Sequence, residues 1–158
     1  STLIAAISDA RPKQAPYPFT TLNPVIGVVE FDDFFRFTVA DIPGLIEGAH
    51  KNIGLGHEFL RHVERARLLV YVLDMGGENS DDCLNALHTL QTELELHKAG
   101  LSRRTAIIAA NKMDLPGAEE NVQFLRENVD IPVVPVSAVE AWNIDALLKE
   151  LRGLLVQD

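Results

Sequence analysis

The sequence predicts a three-layer α/β fold with an open, mostly parallel sheet, crossover helices and one antiparallel hairpin. Three observations carry that prediction. The runs Leu68–Leu73 and Thr105–Ala110 are continuously apolar, the mark of strands covered on both faces. Segments with apolar residues along one helical face alternate with those runs. The length of 158 residues fits one domain with one core, since a domain takes about 100–200.

In chain order, Leu3, Ile4 and Ile7 predict a short helix over Ser1–Ala10, ended by Pro12. Arg11–Pro24 holds Pro12, Pro16, Pro18 and Pro24 without periodicity and reads as a long loop, either functional or disordered. Val25–Phe31 and Phe35–Val39 read as two strands of a hairpin joined across Asp32 and Asp33. A loop with Gly44, Gly48, Gly54 and Gly56 follows, then a helix over His57–Ala66 with Phe59 and Val63 inward. Asp81–Lys98 is predicted helical, with Leu84, Leu87, Leu90 and Leu94 on one side and His88 and His97 on the solvated face. Ala118–Glu127 is a weaker helix. The prolines of Pro132–Val136 place that last strand at a sheet edge. From Asn143, a stripe of Ile144, Leu147, Leu148, Leu151, Leu154 and Leu155 predicts a final helix. Asn143 is its expected N-cap, and Asp145 suits the positive end of its dipole.

Composition narrows the function classes. Hydrophobic residues make up 47% and charged residues 23%, which excludes a disordered or fibrous chain. The longest purely apolar run is the six residues Leu68–Leu73, against about 18–20 needed for a membrane span. Lys and Arg total 14 against 23 Asp and Glu, a net charge of −9. That balance argues against direct DNA binding, which needs clustered cations to displace counterions. Cys83 is the only cysteine, so no internal disulfide or cysteine-built zinc site forms, and a reducing compartment fits. The start Ser1-Thr-Leu-Ile has neither an initiator Met nor a targeting signal, and a fragment of a longer protein is expected.

Ligands of open α/β sheets bind beyond the carboxyl ends of the strands. Asp41–Gly44, Asn111–Asp114 and Ser137–Ala138 each directly follow a predicted strand. In the second cluster, Asp114 offers a carboxylate that only accepts hydrogen bonds. It can take two from the N1–H and exocyclic amine of guanine, whereas adenine would set acceptor against acceptor. Asn111 either reaches the base from its other edge or ties the loop down, and the stem of Lys112 can cover the ring face. The plainer reading is a turn after a strand, where Asn and Asp are common. Asp41 is placed to hold Mg²⁺ through water, and Gly44 to bring its N–H close to a terminal phosphate. A backbone N–H at Ser137–Ala138 can meet a guanine carbonyl.

The runs Tyr17–Leu22, Ala40–His50 and Gly54–Arg65, followed in order by Asn111–Pro116 and Pro135–Ala138, resemble the GTP-binding domain of the Obg family of P-loop GTPases. The resemblance spans residues 1–158 and implies a three-layer P-loop NTPase-type G domain whose first strand is missing. It also implies GTP or GDP as ligand, with Mg²⁺. Ser1 corresponds to the last residue of the phosphate loop, a Mg²⁺ ligand. Thr21, with Thr20 as second choice, corresponds to the switch I threonine at Mg²⁺ and the γ-phosphate. Asp41 and Gly44 correspond to the switch II pair, Asn111, Lys112 and Asp114 to the base readers, and Ser137 and Ala138 to the last guanine loop. Obg-like proteins are associated with assembly of the large ribosomal subunit, in the cytoplasm or the mitochondrial matrix. Contact with that subunit or its assembly intermediates is expected of other domains.

Two features qualify the expected activity. No Gly-x-x-x-x-Gly-Lys occurs among the 158 residues, and that loop supplies the N–H cradle and the lysine for the β- and γ-phosphates. The fragment is therefore expected to bind GTP poorly or not at all and to hydrolyse none, while the longer protein is expected to be active. Leu45 stands where Ras-like GTPases have a Gln that orients water, so intrinsic hydrolysis is expected to be slow. Glu47, His50 and His57 read as solvated switch residues rather than catalytic groups. Arg61, Arg65 and Arg67 read as local partners of Glu58 and Glu64, and Cys83 and Trp142 match no motif. The rival reading is a nucleotide-free scaffold or docking module with the same shape; a third is an adenine-nucleotide enzyme.

Overall fold

A computed structural model describes residues 2–7, 13–14, 25–40 and 66–156. A short helix α1 (Thr2–Ile7) comes first, then the strands β1 (Lys13–Gln14), β2 (Val25–Glu30) and β3 (Arg36–Ala40). The second half runs β4 (Leu69–Asp74), α2 (Asp81–His97), β5 (Ala106–Asn111), α3 (Ala118–Asn128), β6 (Val133–Pro135) and α4 (Ile144–Val156). The helix expected over His57–Ala66 lies outside the described residues, apart from its last residue.

Among the described residues the strands form two three-stranded sheets, antiparallel β1-β2-β3 and parallel β4-β5-β6. The expected hairpin is present, with Glu30 opposite Arg36 and Ile26 opposite Ala40. β1 falls inside the segment expected to be a loop. Lys13 pairs with Ile26 and Gln14 with Val25, and two residues are too few to carry a periodicity that a sequence could display.

β5 divides the core. Ala106, Ile108 and Ala110 face a cluster with Leu87 and Leu94 of α2 and Val122 and Leu125 of α3. Ile107 and Ala109 face the opposite way, onto Leu147 and Leu151 of α4, Ile7 of α1 and Val29 of β2. Strict alternation on a fully buried strand thus sets helices on both sides of the sheet. β4 departs from the expectation of full cover. Tyr71 and Leu73 are buried, but Val72 is 47% exposed, and Val70 is only partly buried against the α4 side of the core. The prolines sit as expected: β6 is an edge strand, with Pro135 opposite Ala110.

Arg152 joins α4 to the antiparallel sheet. Its guanidinium lies 4.8 Å from the Phe31 ring centre and 4.6 Å from that of Phe35. It also pairs with Asp33 in the hairpin turn, Nη1 donating to Oδ1 at 3.1 Å. Asn143 holds the N-cap position expected of it, its carbonyl accepting from Leu147 N–H at 3.4 Å, but its side chain does other work. It stands at φ 60° rather than in the extended geometry of a usual N-cap. Its amide donates to Pro135 O at 2.8 Å, so it fastens the helix start to β6.

Candidate functional site

The three parallel strands end on one rim, where Asp74 stands opposite Asn111 and Ala110 opposite Pro135. Beyond Asn111 the chain turns sharply, with Lys112 at φ 70°. The turn is stitched to both neighbours: Met75 N–H donates to Asn111 O at 2.9 Å, and Met113 N–H to Val136 O at 3.1 Å. Side chains continue the stitching. Ala138 N–H donates to Asn111 Oδ1 at 3.0 Å, and Ser137 Oγ donates to Asp114 Oδ1 at 2.8 Å. Ser137 Oγ in turn accepts from Glu140 N–H at 3.2 Å. Residues 111–114 and 137–138 therefore meet across the sheet ends.

A cavity of about 350 Å³ opens there, lined by Met113, Asp114, Glu119, Ser137, Glu140 and Trp142. Ser137 fixes one oxygen of Asp114, which orients the carboxylate at the cavity wall. An acceptor so placed takes donors from a ligand, and the carboxylates of Glu119 and Glu140 make the same wall unwelcoming to an anion. The cavity suits the N–H edge of a base rather than a phosphate.

Lys112 is anchored by a residue that the sequence reading passed over. Its Nζ donates to Asp74 Oδ2 at 2.8 Å, and Asp74 Oδ1 accepts from Gly76 N–H at 2.7 Å. The lysine's hydrogen bond, then Gly76 N–H and the lysine's charge, hold the Asp74 carboxyl below its ordinary value. The same contact raises the Lys112 amine. Asn111 ties the loop down, one of the two roles open to it. The Ala138 N–H is committed to Asn111, so a further acceptor can engage it only by sharing or replacing that bond.

Ser1, Thr20, Thr21, Asp41 and Gly44 lie outside the described residues, as do Leu45, Glu47, His50 and His57. Among the described residues, no group of three or more His, Cys, Asp or Glu is placed to hold a metal. No helix there is long and apolar enough to cross a membrane.

A family model described as 50S ribosome-binding GTPase matches residues 1–112. GTPase Obg of Akkermansia muciniphila is 51% identical over 156 residues, covering 98% of this chain and 45% of that protein. GTPase Obg of Bacillus licheniformis is 50% identical over 157 residues, covering 98% of this chain and 37% of that one. The chain belongs to the Obg GTPases. The family resemblance read from the sequence is correct, and this Obg-type chain spans less than half the length of those curated relatives.

Solved structures agree on the Obg-type chain's fold. The G domain of the T. maritima FeoB iron transporter has a TM-score of 0.67 at 22% identity, over 99% of this chain and 88% of that one. The cytosolic domain of L. pneumophila FeoB has a TM-score of 0.69 at 19% identity, over 97% and 58%. These neighbours show a G-domain fold and nothing finer.

Three residues of the Obg-type site went unread. Asp74 carried a usable signal: the strand-end rule that singled out Asn111 applies equally to the residue after Leu68–Leu73. Asn121 carried none. It sits mid-helix, 5% exposed, where its Nδ2 donates to Met75 O at 2.7 Å and Gly77 O at 3.0 Å, and its Oδ1 accepts from Ser80 Oγ at 2.8 Å. Trp142 reaches the cavity only through the tight loop that its backbone forms with Ser137.

Proposed function

We propose that residues 1–158 form the guanine-nucleotide-reading G domain of a GTPase switch, and that the complete protein binds and hydrolyses GTP. The observation that carries this reading is Asp114, oriented by Ser137 at the wall of a cavity on the strand-end rim. Its acceptor-only carboxylate selects the N1–H and amine of guanine. Asn111, Lys112, Ser137 and Ala138 hold the base-reading loops together. Ser1, Thr21 (or Thr20) and Asp41 supply the ligands of Mg²⁺, and Gly44 an N–H for the terminal phosphate. When bound, Mg²⁺ neutralises charge on the β- and γ-phosphates.

Leu45 can neither donate nor accept, so intrinsic hydrolysis is slow and is accelerated from outside this domain. The partner of the complete protein is the large ribosomal subunit or an assembly intermediate, in the cytoplasm or the mitochondrial matrix. The family description, 50S ribosome-binding GTPase, supports that role. Other domains make the contact.

The test compares the 158-residue chain with the same chain extended upstream along its natural reading frame. A fluorescent GDP is titrated into each, with GTP and ATP as competitors and phosphate release measured alongside. The reading expects the extended form to bind GDP and GTP in preference to ATP and to turn over slowly, and the shorter chain to bind weakly without turnover. Equal competition by ATP overturns the guanine assignment; an extended form that ignores every nucleotide makes the scaffold reading the better one.

A further inference from the structure

Trp142 is the chain's single tryptophan, and it is 51% exposed where a structural indole would be covered. Its backbone is nonetheless held firmly. Ser137 N–H donates to Trp142 O at 3.1 Å and Trp142 N–H to Ser137 O at 2.9 Å. The residues on either side, Ala141 and Asn143, take positive φ values of 51° and 60°, and the Asn143 amide is fastened to Pro135 O. Four polar cavity residues, Asp114, Glu119, Ser137 and Glu140, share the wall with this large ring and Met113. A rigidly mounted, half-exposed aromatic beside an oriented carboxylate meets what a planar base requires: one group to read its edge, another to cover its face.

We propose that Trp142 is a base-binding residue, a stacking wall that covers the purine whose N–H edge Asp114 reads. This inference rests on the guanine-nucleotide reading above. The two residues divide the work. Asp114 discriminates among bases, because only some present two donors; Trp142 does not, because every purine has a π-face.

The division of work sets the experiment, on the upstream-extended natural protein. Dissociation constants for GDP and IDP are measured by displacement of a fluorescent GDP from the parent, Trp142→Ala, Trp142→Phe and Asp114→Ala. IDP keeps N1–H but lacks the exocyclic amine. Trp142→Ala is expected to weaken GDP and IDP alike, about tenfold, and Trp142→Phe to recover most of the loss. Asp114→Ala weakens GDP more than IDP. GDP binding by Trp142→Ala within about twofold of the parent, with a native circular dichroism spectrum, overturns the inference and leaves the guanine reading intact. A loss confined to GDP also overturns it, since the indole would then act through Asp114. A parent that does not bind GDP removes both, and that result appears before any variant is made.

Discussion

Ser137 and Asp114 lie 23 positions apart, and the Ser137 hydroxyl donates to Asp114 Oδ1 at 2.8 Å. Ser137 is 1% exposed while Asp114 faces the cavity, so a buried hydroxyl sets the direction of an accessible carboxylate. Ser137→Ala therefore has two expected effects. It leaves Glu140 N–H without its side-chain acceptor, which costs about 1 kcal/mol in urea unfolding. It also frees Asp114 to rotate, which narrows the preference for GDP over IDP; parallel titrations of the two nucleotides measure that narrowing.

Exchanging one atom of Asp114 tests the base reading more sharply. Asp114→Asn replaces one acceptor oxygen by a donor amide. Guanine then meets donor against donor, while xanthine, with a carbonyl in place of the amine, finds a partner. GDP affinity is expected to fall by about a hundredfold or more, with XDP affinity rising. Competition between the two nucleotides on the upstream-extended variant reads both changes at once. Unchanged GDP binding would mean that Asp114 does not touch the base.

Asn121 links the loop after β4 to α3, and its loss should show in stability. Its amide satisfies two backbone carbonyls, Met75 O and Gly77 O, and its oxygen accepts from Ser80. Asn121→Ala strands these groups in a mostly buried place and is expected to cost about 2–3 kcal/mol. Asn121→Asp is expected to do worse, since a carboxylate cannot donate to either carbonyl. Chemical denaturation of the three proteins at neutral pH checks the order.

The contrast between Asn111 and Asn121 explains what was legible in the sequence. Asn111 follows the apolar run Thr105–Ala110, so the strand-end rule places it on the rim from the sequence alone. Asn121 has no such local marker; its importance comes from carbonyls 44 and 46 positions away. The same distinction runs through the fold. Alternation of Ile107 and Ile108 between two core faces follows from strand geometry, and the leucine stripes placed α2 and α4 correctly. β1 is only two residues paired along β2, and the 47% exposure of Val72 is a tertiary property that its apolar run does not encode. The rim's oxygens and amide were readable as candidates; which atom holds which was not.

Asp74 and Lys112 give a pH dependence with a definite sign. The folded Asp74 carboxyl lies below its ordinary 3.8, chiefly through the hydrogen bond from Lys112. Its contribution is therefore present above that ordinary value and fades as pH falls through the lowered one. The folded Lys112 amine lies above its ordinary 10.5, so its share persists below 10.5 and fades as pH rises through the raised value. Side-chain exposures of 49% and 55% make this a solvent-screened pair, and the thermal midpoint should barely respond. The informative measurement is an NMR titration of the Asp74 carboxyl carbon. In Lys112→Met its midpoint should move up toward the ordinary aspartate value; an unmoved midpoint would show that the pair does not persist in solution.

Cys83 reports whether the Asn121 anchor opens with its helix or separately. The thiol is 3% exposed, with Sγ 3.1 Å from Ser80 O and 3.9 Å from Asn121 O. Burial pushes its pKa up from the ordinary thiol value, ahead of smaller opposing backbone contacts. The reactive thiolate is thus scarce at neutral pH, and a disulfide reagent must wait for an opening of the loop against α3. Where reclosing outruns the reagent, the labelling rate tracks the opening equilibrium. If Asn121→Ala removes about 2 kcal/mol from that local closure, labelling should accelerate roughly thirtyfold, since 1.4 kcal/mol is a factor of ten. The acceleration should appear in native buffer, well below the unfolding midpoint. Equal rates in parent and variant would show that Asn121 does not control the opening that exposes Cys83; an acceleration no larger than the change in the global unfolding equilibrium would show that the thiol is reached only through global unfolding.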